Sequence, residues 1–443
     1  MRILITGGAG FLGSHLTEAW LERGDDVTVL DPASDVKIRH LRANPKFRVI
    51  RESVLERDIL EGLVAWSDLV YHLAAVVGVE HYVGDPYQVL TVNINGTQEV
   101  LAAAFRHAKK VVFSSTSEIY GRNTAVPFHE DSDRVLGSTL IDRWCYATSK
   151  AAGEHFCFAF ARMGLPVVVL RYFNVYGPRL DQMDRGRVVT IFMGQLLRGE
   201  PLTVIGDGSQ TRAFTYVDDA VRATVEAGLR REVEGRAINV GSEEEVAIRE
   251  LAARMIKLSG SSSRLISVAK EAVYDQGYED IPRRVPSVRR MRELLGVRAR
   301  VTLDDGLGRT IEWFKRQYPC ASTSTRGAGS RRVSPGCWSS FGARPFAPRS
   351  SSPWDPTGRA WRSVARSGPA FSSRCGARIR SGSTVSARSC PARSCRHPPS
   401  APERRRSCAR SPTRATRSRS TGGTTWAGRT GSIAWRRRPS AVT

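Results

Sequence analysis

Short apolar runs, rich in β-branched residues, alternate along the first 180 residues with segments whose apolar positions recur every three to four residues. The runs fall at 2–5, 26–30, 48–50, 69–72, 110–114 and 166–171. Between them, 13–23 and 97–107 carry the apolar stripe of an amphipathic helix. Continuous apolar strands separated by helices are what burial on both sheet faces requires. The rhythm therefore predicts an α/β fold, a mostly parallel sheet with helices on each side. From about residue 178 the alternation loosens. Helical patterns at 188–198, 218–230, 248–258 and 303–316 stand among short strand-like runs. They predict a smaller α/β lobe, 178–318, interleaved with the first unit, 1–177, and packed on the carboxyl edge of its sheet.

The first run, Ile3-Leu4-Ile5-Thr6, leads into Gly7-Gly8-Ala9-Gly10-Phe11-Leu12-Gly13 and then a helix. Gly7 permits a tight turn off the strand, Gly10 lets a pyrophosphate approach the backbone, and Gly13 lets the helix pack on the strand. Phe11 and Leu12 open that helix, whose free N–H groups face the phosphates. In this strand–loop–helix setting the glycines predict a Rossmann doubly wound sheet binding a dinucleotide. Asp31 ends the second strand. A carboxylate there accepts hydrogen bonds from a ribose 2′-OH and repels a 2′-phosphate, which favours NAD over NADP. The plainer alternative for Asp31 is a solvated strand-end carboxylate.

Tyr146-Ala147-Thr148-Ser149-Lys150 has the Y-x-x-x-K spacing, which on a helix puts both ends on one face. A neighbouring ammonium and the positive charge of a bound cofactor favour the phenolate, so Lys150 and the cofactor together are expected to lower the Tyr146 pKa and make it a base for a sugar hydroxyl. Alone the spacing is common by chance. It gains weight from Ser114-Ser115-Thr116-Ser117-Glu118, placed at the carboxyl end of a parallel strand, where open α/β sheets hold their active sites. Thr116 is placed to bond the reacting oxygen, and Ser117 and Glu118 to face the next sugar carbons. A polar strand cap is the plainer reading of the same residues.

Together these motifs resemble the extended short-chain dehydrogenase/reductase enzymes that act on nucleotide sugars. The resemblance covers residues 1 to about 318. It also rests on His72-Leu73-Ala74-Ala75, on Arg171-Tyr172-Phe173-Asn174-Val175-Tyr176-Gly177-Pro178-Arg179, on residues 206–214 and on residues 280–286. It implies a tightly held NAD⁺, lined also by Leu73, Ala74 and Ala75 and contacted by Tyr146 and Lys150. It implies sugar oxidation at C4 with later return of the hydride, and Asn174, Arg212 and Arg284 as ligands of the nucleotide sugar. A homodimer through the helix carrying Tyr146 is implied as well. Two positions depart from the family pattern. Ser53 stands where an Asp near the adenine is usual, and Ala213 replaces an Asp common in many members.

Within the family, a 4,6-dehydratase uses an Asp-Glu pair after the Thr to protonate the leaving hydroxyl. Ser117-Glu118 stands there instead, and a serine hydroxyl is a poor proton donor. A UDP-glucuronate-type decarboxylase (UDP-xylose synthase) needs less, because the C4 carbonyl is itself the electron sink when CO₂ leaves. The stretches 186–189 and 210–214 resemble that branch, and the reading leans to it. A UDP-hexose 4-epimerase stays open as the alternative, since 76–79 and 282–286 resemble epimerases.

Charge changes the picture only at the end of the chain. The net charge is +24, with a sequence pI near 10.4. Residues 321–443 hold 25 Arg, no Lys and two acids, Asp355 and Glu403, which leaves 42 basic and 41 acidic residues in 1–320. That segment also lacks Leu, Met, Tyr, Asn and Gln. It is expected to form a disordered tail over 319–443, since it cannot bury enough apolar surface to offset the ordering entropy. The composition is also what a GC-rich gene gives when read out of frame. A polyanion-binding protein acting through this tail is the non-enzyme alternative; the near-neutral body makes a nucleic-acid partner unlike it. The cysteines Cys145, Cys157 and Cys320 match no metal or disulfide spacing. No apolar run reaches membrane-span length, and no leader is expected before the first strand. The expected setting is the cytoplasm, with no metal and no membrane partner.

Overall fold

The computed structural model describes residues 1–181, 183, 186–269 and 281–319. Asp280 and all of the expected tail except Pro319 lie outside them. Seven strands form the main sheet: β1 (Arg2–Thr6), β2 (Asp26–Leu30), β3 (Phe47–Ile50), β4 (Leu69–His72), β5 (Lys110–Thr116), β6 (Val167–Tyr172) and β7 (Ala237–Val240). Their order is β7-β6-β5-β4-β1-β2-β3, and every neighbouring pair is parallel. The strand order reverses between β1 and β4, with Thr6 in register with His72. Such a switch point opens a crevice at the strands' carboxyl ends.

Packing explains why the strands read as unbroken apolar runs. Ile3 and Ile5 of β1 face one side, against Leu16 and Trp20 of helix α1 (Phe11–Glu22). Leu4 faces the other side and joins Val70, Val100 and Leu101, the last two on helix α2 (Gly96–Arg106). Both faces are dry, so alternate positions cannot be polar. Each such side chain contributes roughly 1.5–3 kcal/mol on burial. Helix α3 (Trp144–Arg162), which carries Tyr146 and Lys150, packs on β5 and β6.

The helices expected after residue 178 fall within two residues of their predicted bounds, at Val188–Arg198, Val217–Leu229, Ile248–Ser259 and Leu303–Gln317. Three short pairings accompany them. Thr211–Ala213 lies between Glu245–Ala247 and Arg283–Arg284; Leu202–Ile205 pairs with Leu265–Val268; Val175–Tyr176 pairs with Thr215–Tyr216. Two features were not expected. β5 runs on through Ser115 and Thr116, because β6 continues alongside as Arg171 and Tyr172. β7 comes from beyond residue 178 and completes the main sheet; Asn239 interrupts its four residues, so they do not register as an apolar run.

Candidate active site

The glycine loop is built as its spacing requires. Gly7 has φ +74°, and a Cβ there would lie 2.6 Å from the Ala74 nitrogen. A Cβ at Gly13 would lie 2.3 Å from the Gly7 carbonyl oxygen, so the helix approaches the turn as only glycine allows. A Cβ at Gly10 would meet one protein atom within 4 Å, the Gly7 oxygen at 3.1 Å, and otherwise point into open space. Phe11 and Leu12 begin α1, and Ser14 N–H donates to the Gly10 carbonyl.

Asp31 is buried rather than solvated. Its carboxylate accepts from Ala9 N–H at 3.0 Å and Ala33 N–H at 2.9 Å, which ties the glycine loop to the end of β2. Burial raises its pKa. Each carboxylate oxygen still has a second lone pair for a ribose hydroxyl. Leu73 N–H donates to the Thr6 carbonyl, which brings Leu73, Ala74 and Ala75 to the rim of the same crevice. Ala74 N–H donates to Thr6 Oγ1, Thr6 meets His72 Nδ1 at 2.8 Å, and His72 Nε2 meets Thr97 Oγ1 at 3.1 Å. Burial, and then the Lys150 charge, lowers the His72 pKa to about 3. His72 is a neutral strut. These residues fit a dinucleotide: the open cradle at Gly10, the free helix end and the buried carboxylate each match one of its parts. Ser53 caps its own turn, accepting from Leu55 N–H at 3.2 Å.

At the end of β5, Thr116 accepts from Glu118 N–H at 3.2 Å and opens the turn Ser117–Tyr120. The Thr116 side chain faces the Tyr146 phenol and favours its ionised form slightly. Ser117 is buried in that turn. Lys150 is buried, donates to the Ser114 carbonyl at 2.7 Å and lies 4.9 Å from the Phe113 ring centre. Burial lowers its pKa to about 8.

One expectation needs correction. Burial, and then the Glu118 charge, raises the Tyr146 pKa; the cation that opposes them is Arg187 and not Lys150. The reason is that the Lys150 ammonium is drawn to the β5 backbone.

Glu118 is the centre of a charged cluster. Arg284 Nη1 donates to Glu118 Oε1 at 3.2 Å, and Arg143 Nη1 lies 3.5 Å from Oε2. Burial raises the Glu118 pKa, but Arg284 and Arg143 outweigh it and hold the group ionised, with a smaller contribution from Arg212. Arg284 Nε is buried without a hydrogen-bond partner. Arg212 and Arg284 are paired in register on adjacent short strands. Arg212 donates to the Thr211 carbonyl at 2.8 Å. Asn174, at φ +38°, donates from Nδ2 to the Ala213 carbonyl at 2.8 Å, so the position that departs from the family pattern serves through its backbone. Among the described residues, no group of His, Cys, Asp and Glu could hold a metal ion.

Three residues of the site escaped the sequence reading. Tyr82 stacks on Tyr146, and nothing in its local sequence marks it. Arg143 sits three residues before Tyr146, a spacing that shares a helix face, and was readable in principle. Arg187 lies over the Phe11 ring at 5.7 Å and was noticed only as part of a branch-like stretch.

Residues 3–241 match the family described as NAD dependent epimerase/dehydratase. The chain is 43% identical over 315 residues to the UDP-N-acetyl-alpha-D-glucosaminuronate decarboxylase of Bacillus cytotoxicus, covering 71% of this chain and 98% of that protein. It is 37% identical to UDP-glucuronic acid decarboxylase 1 of Xenopus tropicalis, covering 71% and 72% respectively. Among solved structures, UDP-glucuronic acid 4-epimerase from Bacillus cereus, in complex with UDP-glucuronic acid and NAD, aligns with a TM-score of 0.64 at 34% identity. That alignment covers 72% of this chain and all of the epimerase.

Proposed function

The chain belongs to the NAD dependent epimerase/dehydratase family, and from that premise we propose that it is an NAD-dependent nucleotide-sugar decarboxylase acting on a UDP-linked uronate through a 4-keto intermediate. The observation that carries the reading is Glu118 held ionised between Arg284 and Arg143, beside Thr116 and Tyr146. The guanidinium with a buried, unpartnered Nε supplies a donor for a second carboxylate, that of the sugar. An ionised Glu118 is no proton donor to a leaving hydroxyl, which weighs against 4,6-dehydration. The curated relatives named above are decarboxylases of uronates.

Gly7, Gly10, Gly13, Phe11, Leu12, Asp31, Leu73, Ala74 and Ala75 would hold the dinucleotide, with Tyr146 and Lys150 at its nicotinamide end. When bound, NAD accepts a hydride from sugar C4 and returns it. Thr116 holds the C4 oxygen and Tyr146 takes its proton. Asn174, Arg212 and Arg284 anchor the nucleotide sugar. With a carbonyl at C4, the C5–carboxylate bond breaks and its electron pair passes into the enolate; CO₂ leaves and C5 takes a proton from solvent water. Tyr146 then returns the proton to the C4 oxygen. Lys150 keeps α3 seated on β5.

A UDP-hexuronate 4-epimerase is the second reading, supported by the likeness to the Bacillus cereus epimerase. The reading also includes a homodimer and a cytoplasmic setting, the latter supported by the unpaired thiols of Cys145 and Cys157. The test is to offer UDP-glucuronate, UDP-N-acetylglucosaminuronate and UDP-glucose, following CO₂ release and product NMR. CO₂ from a uronate without inversion of UDP-glucose supports decarboxylation. Inversion at C4 without CO₂ moves the chain to the epimerase reading.

A further inference from the structure

The segment that leaves the main sheet after β6 meets helix α1 through Arg179 and through His15, which reaches the Pro178 carbonyl. Arg179 has φ +62°, a left-handed backbone that is strained for a non-glycine residue. Its guanidinium donates from Nη1 to Glu18 Oε1 at 2.8 Å and from Nη2 to Glu18 Oε2, a two-pronged pair that is mostly buried. Nη2 also donates to His15 Nδ1 at 2.7 Å, and Nη1 reaches the Lys37 carbonyl at 3.4 Å. His15 Nε2 in turn meets the Pro178 carbonyl at 2.8 Å. A carbonyl only accepts and a guanidinium only donates, so the two short contacts make His15 neutral with its proton on Nε2, and the 3.4 Å approach of Arg179 Nε to that nitrogen gives way to them. Burial and the Arg179 charge, which lower the His15 pKa to about 4, keep it so at neutral pH.

These contacts join three segments, two of which flank the glycine loop and Asp31. His15 and Glu18 lie on α1 within two turns of the glycine loop, and His15 meets Phe11 edge-on at 5.7 Å. Lys37 ends the turn that follows Asp31, and its charge interacts with the Asp31 carboxylate. The third segment is 177–179. The two-pronged bond to Glu18 occupies the guanidinium edge, so the side chain is committed to the walls and not to a phosphate.

We propose that Arg179 is a positioning residue that clamps residues 177–179 onto α1 and the loop after β2, and so slows release of the dinucleotide. The proposal rests on the NAD reading of the crevice. Its test is the dissociation rate of 1,N6-etheno-NAD⁺ from the full chain, followed by fluorescence on displacement with excess NAD⁺. Arg179→Gly keeps the left-handed backbone and removes the clamp; Glu18→Ala removes it from the other side without touching any phosphate ligand. Both are expected to release at least tenfold faster than the unsubstituted chain, and the double variant no faster than about the faster single. Arg179→Lys, which keeps the charge and loses the fork, is expected to release faster too, and stands in where Arg179→Gly does not fold. Release unchanged in all three overturns the clamp. So does acceleration by the Arg179 variants with Glu18→Ala unchanged, which makes Arg179 a direct ligand. An unsubstituted chain that binds no NAD⁺ overturns the crevice reading, and the clamp with it.

Discussion

Tyr82 lies face to face with Tyr146, ring centres 4.9 Å apart and planes 11° apart. The stack fixes the plane in which the phenol meets Thr116. Aromatic pairs of this kind are worth about 1 kcal/mol beyond their burial, so Tyr82→Ala is expected to lower kcat roughly fivefold to tenfold. Tyr82→Phe, which keeps the stack, is expected to stay near the parent rate. Tyr146→Phe removes the proton acceptor and is expected to lower kcat by about 10²–10⁴. Steady-state rates of the three variants check the set; a fully active Tyr146→Phe enzyme overturns the mechanism.

Arg284 is buried against Glu118. Arg284→Met removes the nearer of the two cations that hold Glu118 ionised, so the Glu118 pKa rises. CO₂ release at saturating substrate is expected to fall by about two orders of magnitude. Release at the parent rate would detach this pair from the chemistry.

Asp31 sets cofactor choice through charge. Asp31→Ala removes the repulsion toward a 2′-phosphate and frees Ala9 N–H, its present donor. The NAD-over-NADP ratio of kcat/KM is expected to fall at least about tenfold. A ratio that does not move removes Asp31 from the ribose site.

His15 and His72 couple stability to pH. Their folded values, about 4 and about 3, lie below the ordinary 6.5 because both are buried. Between pH 6.5 and 4 the unfolded chain binds protons that neither folded histidine takes up. Stability therefore falls with acidification, by up to about 1.4 kcal/mol per pH unit for each. From 4 to 3 only His72 contributes, and above about 6.5 neither does. Urea midpoints at pH 7 and 5 are expected to differ, and by less in His72→Gln; equal shifts in both proteins would exclude His72.

The sequence is most legible where one element decides the answer. Five of the seven strands of the main sheet, β1, β2, β4, β5 and β6, are apolar runs because both faces are covered, while β3 lies half-exposed at the edge, and the 7, 10, 13 glycine spacing carries its own geometry. Tyr146 and Lys150 are found on one helix, as four-residue spacing requires. What Lys150 does there is not legible, because its partner is the Ser114 carbonyl on another strand. Glu118 shows the same limit. Its neighbours Arg143 and Arg284 are far from it along the chain, and the pairings of 283–284 with 211–213 and of 285–287 with Phe128 bring Arg284 near. β7 is invisible for a different reason. Asn239 interrupts its apolar run, yet inside the fold Asn239 accepts from Tyr120 O–H and donates to the Phe128 and Ser287 carbonyls.

The late arrival of β7 constrains how the chain is made. Until residues 237–240 leave the ribosome, β6 presents a bare row of backbone donors and acceptors, the kind of border on which chains add to one another. A fragment ending at residue 177, which lacks β7, is expected to be sticky along β6.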